Sequence, residues 1–309
     1  MSEVDLIRWL QERVGPTSRS PVSVGIGDDA ALLGWIADRE LVLATDMILE
    51  GSCFLLEHGL GRIGRKALAI NLSDLAAMAA EPLAALVSLA LPRSFSLSMV
   101  QEIYEGLLGL AEEFGVALVG GDTNTWNGPL AVNVSVVGLS KPGTAVLRRG
   151  AQPGDWLLVT GPLGGSILGK HLNFTPRVRE ARRLVELVQL HAMIDISDGL
   201  ARDLHRLCEA SRCGAVLYVE QIPISSEAYQ LSDHREPLEH ALSDGEDFEL
   251  LFAVAPEDGQ RLLQQQPLRD LNVTLYHIGE CIERGVYLRR AKGELQDLPP
   301  LGYLHSFAD

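Results

Sequence analysis

The chain of 309 residues is longer than one ordinary hydrophobic core requires, and its length predicts two domains of about 150 residues each. Hydrophobic residues make up 47% and charged residues 22% of the sequence, a composition that excludes an intrinsically disordered chain. The formal net charge of −15 argues against a nucleic-acid partner, because clustered Lys and Arg side chains bind phosphate backbones.

Hydrophobic periodicity and turn residues predict the elements of the first half. Helices are expected over 3–13, 63–78 and 98–114, and strands over 22–26, 41–45, 83–91, 117–119 and 130–139. Carboxylates follow several of these strands. Asp28 and Asp29 stand in a glycine turn after the first strand, Asp46 ends the second, and Asp122 comes shortly after the fourth. Asp74 lies beside the apolar stripe of the second helix, where a carboxylate needs a partner.

The second half repeats this pattern. Strands are expected over 156–160, 193–196, 248–254, 275–281 and 286–289, and helices over 177–190, 200–210 and from 256. Asp195 lies in the second of these strands, and Ser197-Asp198-Gly199 forms the turn into the following helix. Turn residues between 142 and 154 mark a linker between an N-terminal domain, 1–142, and a C-terminal domain, 150–309.

Two glycine patterns look like phosphate-binding loops but do not qualify. Residues 25–30 fit G-x-G-x-x-A after a strand, but two carboxylates in that turn would repel a pyrophosphate, and no long helix follows. Residues 165–170 are one residue short of a Walker A loop, and His171 replaces its Ser or Thr. No Ser-His-Asp order, G-x-S-x-G elbow or H-E-x-x-H motif indicates a hydrolase.

The aspartates at strand ends, turns and helix faces have two interpretations. Each one alone is more typical of an Asx turn or a helix cap. Together they favour metal binding, because Mg²⁺ that bridges nucleotide phosphates needs hard oxygen ligands from several elements. Metal ions would also reconcile an acidic chain with an anionic substrate.

Several other residues keep two interpretations on the sequence alone. Lys66 and Arg148 would lie near phosphate, although a solvated or snorkelling surface role fits either equally well. Gly120-Gly121 would offer backbone N–H groups to a phosphate or form a simple tight turn. Glu246 and Asp247 would bind a cationic substrate ring or cap their turn. Tyr303 would stack on an aromatic substrate or have an ordinary packing role.

Location and redox state follow from two further observations. No apolar run approaches the roughly 20 residues that span a bilayer, and residues 1–5 lack the basic region of a signal peptide. We therefore predict a cytoplasmic protein with no membrane segment. The four cysteines form no C-x-x-C pair, so we expect neither a zinc site nor a disulfide framework, and the thiols are predicted to be reduced.

Seven ordered strings resemble the thiamine-monophosphate kinase family. They are GIGDDAALL (25–33), ATDMILEG (44–51), KALAINLSDLAAMAAEP (66–82), VGGDT (119–123), GAQPGDWLLVTG (150–161), DISDGLARDL (195–204) and SDGEDFELLF (243–252). The resemblance implies two α/β domains, in the fold shared with aminoimidazole ribonucleotide synthetase and selenophosphate synthetase. It further implies that the N-terminal domains pair across a homodimer into a barrel-like sheet. The C-terminal domain would complete the nucleotide and substrate cleft.

The family pattern also implies the site residues. Magnesium ligands would be Asp29, Thr45, Asp46, Asp74, Asp122, Asp195 and Asp198, with Asp28 close by. ATP contacts would include Tyr104, Gly121, Asp122, Arg148 and Ser197, and substrate contacts would include Cys53, Glu246 and Tyr303. No residue is expected to act as a nucleophile or general base, because several magnesium ions and substrate positioning would supply the catalysis.

The implied reaction transfers the γ-phosphoryl group of ATP to thiamine monophosphate, giving ADP and thiamine diphosphate in the last step of thiamine diphosphate biosynthesis. Two positions depart from the family pattern. Cys53 stands where many relatives have a substrate-contacting His, and Ala44 stands where some have Ser. Two alternatives keep the fold: an ATP-dependent synthetase with a different acceptor, and a non-catalytic nucleotide-binding relative.

Overall fold

A computed structural model describes residues 3–15, 22–24, 32–34 and 36–304. The chain divides into two units, Met1–Leu75 with Ala80–Thr144, and Ala76–Ala79 with Ala145–Asp309. The four-residue segment Ala76–Ala79 belongs to the second unit. Within it, the Met78 carbonyl accepts a hydrogen bond from the Val146 N–H at 3.2 Å. No helix in the described ranges is long and apolar enough to cross a membrane.

The first unit is built on a four-stranded sheet. Its elements are α1 (Glu3–Val14), β1 (Val22–Val24), β2 (Leu32–Leu33), β3 (Glu40–Leu49), α2 (Leu60–Ala77), β4 (Glu81–Pro92), α3 (Leu97–Phe114), β5 (Ala117–Trp126) and β6 (Ala131–Ser140). The sheet order is β3-β6-β4-β5, and β1 pairs separately with β2. Only β4 and β5 are parallel neighbours within the four-stranded sheet.

The two faces of this sheet differ in burial. Along β6, Val132, Val134 and Val136 are buried and alternate with partly exposed residues. Along the edge strand β3, by contrast, Leu43 and Met47 are 69% and 57% exposed. Alternate residues of a strand point to opposite faces, so one face of the sheet belongs to the core and the other presents apolar side chains at the surface.

The second unit is built on a seven-stranded sheet. Its elements are β7 (Trp156–Val159), α4 (Lys170–Asn173), α5 (Val178–Leu187), β8 (Leu190–Asp195), α6 (Leu200–Ser211), β9 (Gly214–Tyr218), α7 (Pro237–Ser243), β10 (Leu250–Val254), α8 (Pro256–Gln265), β11 (Tyr276–Ile282), β12 (Val286–Arg289) and β13 (Leu295–Asp297). The strand order is β13-β12-β9-β11-β7-β10-β8. Helix α6 contributes Leu200, Leu204 and Leu207 to the core cluster that covers this sheet.

The two mixed α/β units confirm the predicted fold class, and most predicted elements are present within a few residues of their expected bounds. Two strands are longer than predicted. The strand expected to end at Asp46 continues to Leu49, and the strand expected to end at residue 119 continues to Trp126. Gly120-Gly121 therefore lie inside β5, and their interpretation as a tight turn is wrong. Strands β2, β9 and β13 and helices α4 and α7 were not predicted.

A buried ion cluster fixes the start of β10 to the segment around α4 and α5. The Glu249 carboxylate, 1% exposed, accepts two hydrogen bonds from Arg177 at 2.8 Å each. It also accepts one from Lys170 Nζ at 2.9 Å and one from the Thr160 hydroxyl at 2.7 Å. Burial alone would raise the pKa of Glu249, but the charges of Lys170 and Arg177 outweigh burial and lower this pKa to about 2.

We expect Glu249→Gln to lower the free energy of unfolding by about 3–5 kcal/mol, because the change removes the buried carboxylate that lies nearest to both Lys170 and Arg177. Urea unfolding measures this loss, and Glu186→Gln, at an exposed position of α5, serves as the control. The pKa of Glu249 is depressed, so the stabilisation exists above its ordinary value of 4.5 and is lost as pH falls toward about 2. A stability difference between wild type and variant that grew on acidification would contradict this account.

Candidate active site

Thr45 and Asp46 lie side by side in the middle of the edge strand β3. Their side chains point to opposite faces of the sheet, because successive residues of a strand alternate. The Thr45 hydroxyl lies 2.9 Å from the Ser135 hydroxyl of β6 and donates to the Val134 carbonyl at 3.2 Å. The structure therefore places the two residues next to each other in the chain without bringing their side chains together.

The sheet register separates Asp46 from Asp122, the predicted magnesium ligand on β5. Asp46 is in register with Val134 of β6, Val134 with Val87 of β4, and Val87 with Gly121 of β5. Neighbouring strands are about 4.8 Å apart, so roughly 14 Å of sheet lies between Asp46 and Gly121. Asp46 and Asp122 are thus on the two edge strands of one sheet.

Gly121 lies where β5 passes close to the backbone of β4. A Cβ atom at this position would lie 1.8 Å from the Val87 carbonyl oxygen. The close strand pairing therefore requires a glycine here, whatever the residue does for a ligand.

Tyr104 of α3 lies beneath this part of β5. Its side chain is buried, and its hydroxyl is hydrogen-bonded to Thr123 and close to Asp122. Burial raises the pKa of Tyr104 to about 12, and the Asp122 charge adds to the rise. The structure brings Tyr104 and Asp122 together, but the tyrosine ring is packed inside the unit, 6.4 Å from the Trp9 ring between centroids.

Asp74 is partly buried in the last turn of α2. The C-terminal end of a helix carries a partial negative charge, so a carboxylate at this end is stabilised when a cation lies nearby. This position fits the predicted role of a metal ligand better than that of a helix cap, because carboxylates favour the opposite helix end.

The second unit holds a loop that joins β8 to α6. Asp195 is the last residue of β8, and Ser197 and Asp198 follow it. The backbone N–H groups of Ser197 and Asp198 both donate to one oxygen of Asp203, at 3.0 Å and 2.9 Å. Arg206 donates to the other oxygen of Asp203 at 2.7 Å and forms an ion pair with Asp198 at 2.6 Å. Two consecutive N–H groups are thereby held by one buried carboxylate.

Asp203 was not predicted as a site residue, although it stands inside the DISDGLARDL string. Burial, above all, raises the pKa of Asp203 to about 7, and the charges of Asp195 and Asp198 add to the rise. The hydrogen bond from the Asp198 N–H and the charge of Arg206 act in the opposite direction. An acidic residue in the first turn of a helix that follows a Ser-Asp-Gly turn is the sequence signal that would have identified it.

A second turn places Glu246 beside this loop. The Glu246 N–H donates to the Ser197 carbonyl at 2.7 Å, and the Phe248 N–H donates to the Ile196 carbonyl at 2.8 Å. Glu246 and Phe248 have φ values of 53° and 50°, in the left-handed backbone region that residues other than glycine rarely adopt. Non-glycine residues in this region cluster at functional sites, where the surrounding structure holds them.

The segment that carries Tyr303 meets the same loop. The Tyr303 N–H donates to the Asp198 carbonyl at 3.0 Å, and Arg202 donates to the Gly302 carbonyl at 3.3 Å. A Cβ atom at Gly302 would lie 2.0 Å from the Asp198 carbonyl oxygen, so this close approach requires glycine. Through these contacts the structure brings together Ser197, Asp198, Glu246 and Tyr303.

The remaining predicted residues have other contacts or lie outside the described ranges. Arg148 has an exposed side chain in the second unit, and its carbonyl accepts from the Ser211 hydroxyl at 2.9 Å. Cys53 follows β3 in a turn, and its carbonyl accepts from Lys66 Nζ at 2.7 Å. Lys66 is fully buried, so its interpretation as a surface residue is wrong. Asp28 and Asp29 lie outside the described residues.

The carboxylates fit magnesium as one or two ligands per ion. Within the described ranges, no group of three His, Cys, Asp or Glu side chains is arranged to hold a metal ion. Mg²⁺ commonly takes one or two protein carboxylates and fills its other positions with phosphate oxygens and water. Burial is the main cause of the raised pKa of Asp203, and the charges of Asp195 and Asp198 add to the rise, so these carboxylates repel one another. A divalent cation would reduce that repulsion.

The sequence matches two family models over most of its length. Residues 27–140 match the AIR synthase related protein, N-terminal domain, and residues 152–290 match the corresponding C-terminal domain. Thiamine-monophosphate kinase of Rhodopirellula baltica is 45% identical over 307 residues, which cover 96% of this chain and 95% of the relative. The Escherichia coli K12 protein of the same name is 36% identical over 301 residues, covering 90% of this chain and 87% of the relative.

Solved structures agree with these matches. The crystal structure of thiamine-monophosphate kinase from Stenotrophomonas maltophilia K279a has a TM-score of 0.81 and 33% identity, and covers 95% of this chain and 96% of that one. A structure described as AaThiL complexed with AMPPCP and TMP has a TM-score of 0.76 and 28% identity, and covers 98% and 97% of the two chains. The chain therefore belongs to the thiamine-monophosphate kinase family, within the AIR synthase related proteins.

Proposed function

We propose that this chain phosphorylates thiamine monophosphate with ATP, giving thiamine diphosphate and ADP in the last step of thiamine diphosphate biosynthesis. The observation that carries the proposal is the convergence of Asp198, Glu246 and Tyr303 on one hydrogen-bonded backbone assembly in a member of this family. A structural relative is described in complex with AMPPCP, an ATP analogue, and TMP, which supports the same pair of substrates. We place the reaction in the cytoplasm, where ATP is supplied.

The proposed chemistry is a direct in-line transfer. An oxygen of the thiamine monophosphate phosphate attacks the γ-phosphorus of ATP, the bond from that phosphorus to the β,γ-bridging oxygen breaks, and ADP leaves. The second pKa of a phosphate monoester is about 6, so the attacking group is already largely ionised near neutral pH. No general base is needed, and the chain contributes binding and orientation.

Glu246 and Tyr303 suit the thiamine part of the substrate. The thiazolium ring is cationic and aromatic, so a carboxylate attracts it by charge and a tyrosine ring attracts it through its face. Both side chains project from backbone that is anchored to Ser197 and Asp198, which limits the ordering needed when the substrate binds. We assign Cys53 a third contact, where a thiol is a weaker hydrogen-bonding group than the imidazole of many relatives.

We propose several magnesium ions as cofactors. The residues that would hold them are Thr45, Asp46, Asp74 and Asp122 in the first unit, Asp195 and Asp198 in the second, and Asp29. Bound magnesium supplies positive charge that offsets the phosphates of ATP and of the substrate. We assign ATP contacts to Tyr104 through its hydroxyl, and to Gly121, Asp122, Arg148 and Ser197.

We also propose a homodimer formed through the exposed face of the four-stranded sheet. Four apolar side chains of β3 alternate on this face, namely Leu41, Leu43, Met47 and Leu49, and all are well exposed. Leu86 of β4 is exposed on the same face. Contiguous exposed apolar surface on a sheet is typical of a protein–protein interface. Pairing two such faces gives the barrel-like sheet that the family resemblance implies.

We expect magnesium-dependent formation of ADP from ATP and thiamine monophosphate, with thiamine diphosphate produced in equal amount. Enzyme-coupled ADP detection and mass spectrometry measure the two products. Asp46→Asn should lower kcat by at least about a hundredfold because it removes charge that holds the cation. Glu57→Gln, an exposed acidic position of the same unit, should leave kcat unchanged. Tight binding of magnesium and ATP without thiamine diphosphate would instead indicate another acceptor or a non-catalytic relative.

Asp203→Ala should lower kcat/KM by about 10- to 100-fold, because it releases the N–H groups of Ser197 and Asp198 from their acceptor. Asp203→Asn keeps one acceptor oxygen and should recover part of that loss. Steady-state kinetics and thermal melting are measured together, with Asp258→Asn on α8 as the control. A role in folding alone would give both Asp203 variants lower melting temperatures with no difference in kcat/KM between them.

The substitution Leu43→Glu places a charge in the middle of the exposed apolar face and should weaken the proposed dimer. The dissociation constant of the dimer should rise at least about 30-fold, as for a central interface residue. Sedimentation and light scattering over a concentration series measure the change. Leu187→Glu, an exposed position on α5, is the control and should leave the dimer intact. A monomeric wild-type protein would contradict the proposal.

A further inference from the structure

Three of the four cysteines meet at one place in the second unit. Cys208 lies near the end of α6, Cys213 follows that helix directly, and Cys281 lies in β11. All three belong to the same hydrophobic cluster, and the Cys213 thiol is hydrogen-bonded to both others. This site lies at the opposite end of α6 from the Asp203 loop, about 12 Å along the helix from Leu200.

The end of α6 places Cys208 beside Cys213. The Cys213 N–H donates to the Cys208 carbonyl at 3.1 Å, and the Arg212 N–H donates to the Glu209 carbonyl at 3.2 Å. Arg212 has a φ of 56°, so the helix ends in a Schellman motif. In this motif the side chains at the positions of Cys208 and Cys213 commonly contact each other. The two thiols are therefore neighbours because of the local backbone.

Strand pairing brings in the third thiol. Cys281 of β11 pairs with Ala215 of β9, and Cys213 is two residues before Ala215. Residues two apart share a face of a sheet, so Cys281 and Cys213 lie on the same side as diagonal neighbours. The Cβ atoms of such a diagonal pair are farther apart than the roughly 3.5–4.5 Å of a disulfide, whereas the helix end holds Cys208 directly against Cys213.

The three thiols differ in access and in acidity. Cys208 and Cys281 are 3% and 1% exposed, whereas Cys213 is partly exposed. Hydrogen bonds from Cys208 and Cys281 lower the pKa of the Cys213 thiol, so Cys213 is the member of the cluster that favours the thiolate. The same hydrogen bonds and burial raise the pKa of the other two. The thiols are not arranged to hold a metal ion.

We propose that Cys213 is an oxidation site that reacts with hydroperoxides and that Cys208 resolves it as a disulfide. A reactive redox thiol needs thiolate character, access to solvent and a resolving partner, and the cluster supplies all three. The proposal departs from the expectation, based on cysteine spacing alone, that the thiols stay reduced, since the pair is created by a helix end rather than by a C-x-x-C motif. The proposal is independent of the kinase reaction.

The chemistry balances in two steps. The Cys213 thiolate attacks one oxygen of hydrogen peroxide, so an S–O bond forms, the O–O bond breaks, and the departing hydroxide takes a proton to become water. The Cys208 thiol then attacks the Cys213 sulfur, so an S–S bond forms, the S–O bond breaks, and the hydroxyl leaves with the thiol proton as water. Two thiols supply the two electrons that reduce the peroxide. A dithiol reductant reverses the reaction.

The test treats the reduced full-length protein with hydrogen peroxide, blocks the free thiols by alkylation and maps the peptides by mass spectrometry. We expect a Cys208–Cys213 cross-link, with Cys213 oxidised roughly tenfold or more faster than Cys53, because an ordinary thiol is only a few per cent thiolate near neutral pH. In Cys208→Ala the sulfenic acid on Cys213 should persist and be trapped by dimedone. Cys53 is the internal control, as a partly exposed thiol of the first unit.

Three outcomes would overturn the proposal. One is oxidation of Cys213 no faster than that of Cys53. Another is a cross-link between Cys213 and Cys281 instead of Cys208, which would refute the assignment of the resolving thiol. The third is the absence of a dimedone adduct on Cys213 in Cys208→Ala protein that circular dichroism shows to be folded. Wild-type protein alone decides the first two outcomes, so the test stands even if the Cys208 variant does not fold.

Discussion

The buried carboxylate of Asp203 is the contact on which the candidate site of the second unit depends. It accepts the N–H groups of both Ser197 and Asp198, and because each peptide unit is planar this orients the carbonyl groups of Ile196 and Ser197. The Ser197 carbonyl then accepts from Glu246, and the Asp198 carbonyl accepts from Tyr303. Three segments that are far apart in the sequence are thus ordered by one side chain. The left-handed conformation of Glu246 is maintained within the same assembly.

Electrostatics explains how an acidic chain can act on two phosphate compounds. With a net charge of −15 the protein repels anions unless cations are bound between them. Among the described residues, these aspartates lie on β3, α2 and β5 of the first unit and in the loop before α6 of the second, and no three carboxylates are grouped to hold a metal ion. This distribution suits magnesium, which takes few protein ligands and completes its coordination with phosphate oxygens. The binding of substrate and of metal would then be mutually dependent.

Local patterns in the sequence predicted most helices and strands, but not the relations that depend on neighbouring strands. Asp46 and Asp122 look like residues at strand ends because glycine and aspartate weaken a strand considered alone. In the structure both lie inside strands, because pairing with β6 and β4 extends them.

The motif DISDG identified Asp195 and Asp198 as candidates. It did not identify Asp203, because its role is to accept backbone N–H groups and only the folded loop shows them. Helical spacing from Ile63 and Ile70 does place Lys66 on the buried face of α2, and only its charge favoured the surface interpretation.

The central claim is that Glu246 and Tyr303 bind the thiamine part of the substrate. A crystal structure of the protein with thiamine monophosphate, magnesium and a non-hydrolysable ATP analogue tests it most directly. The account predicts that the thiazolium ring lies against the Tyr303 ring with the Glu246 carboxylate beside it, and that the substrate phosphate faces the ATP analogue. Thiamine monophosphate bound elsewhere, with neither side chain in contact with it, would contradict the account.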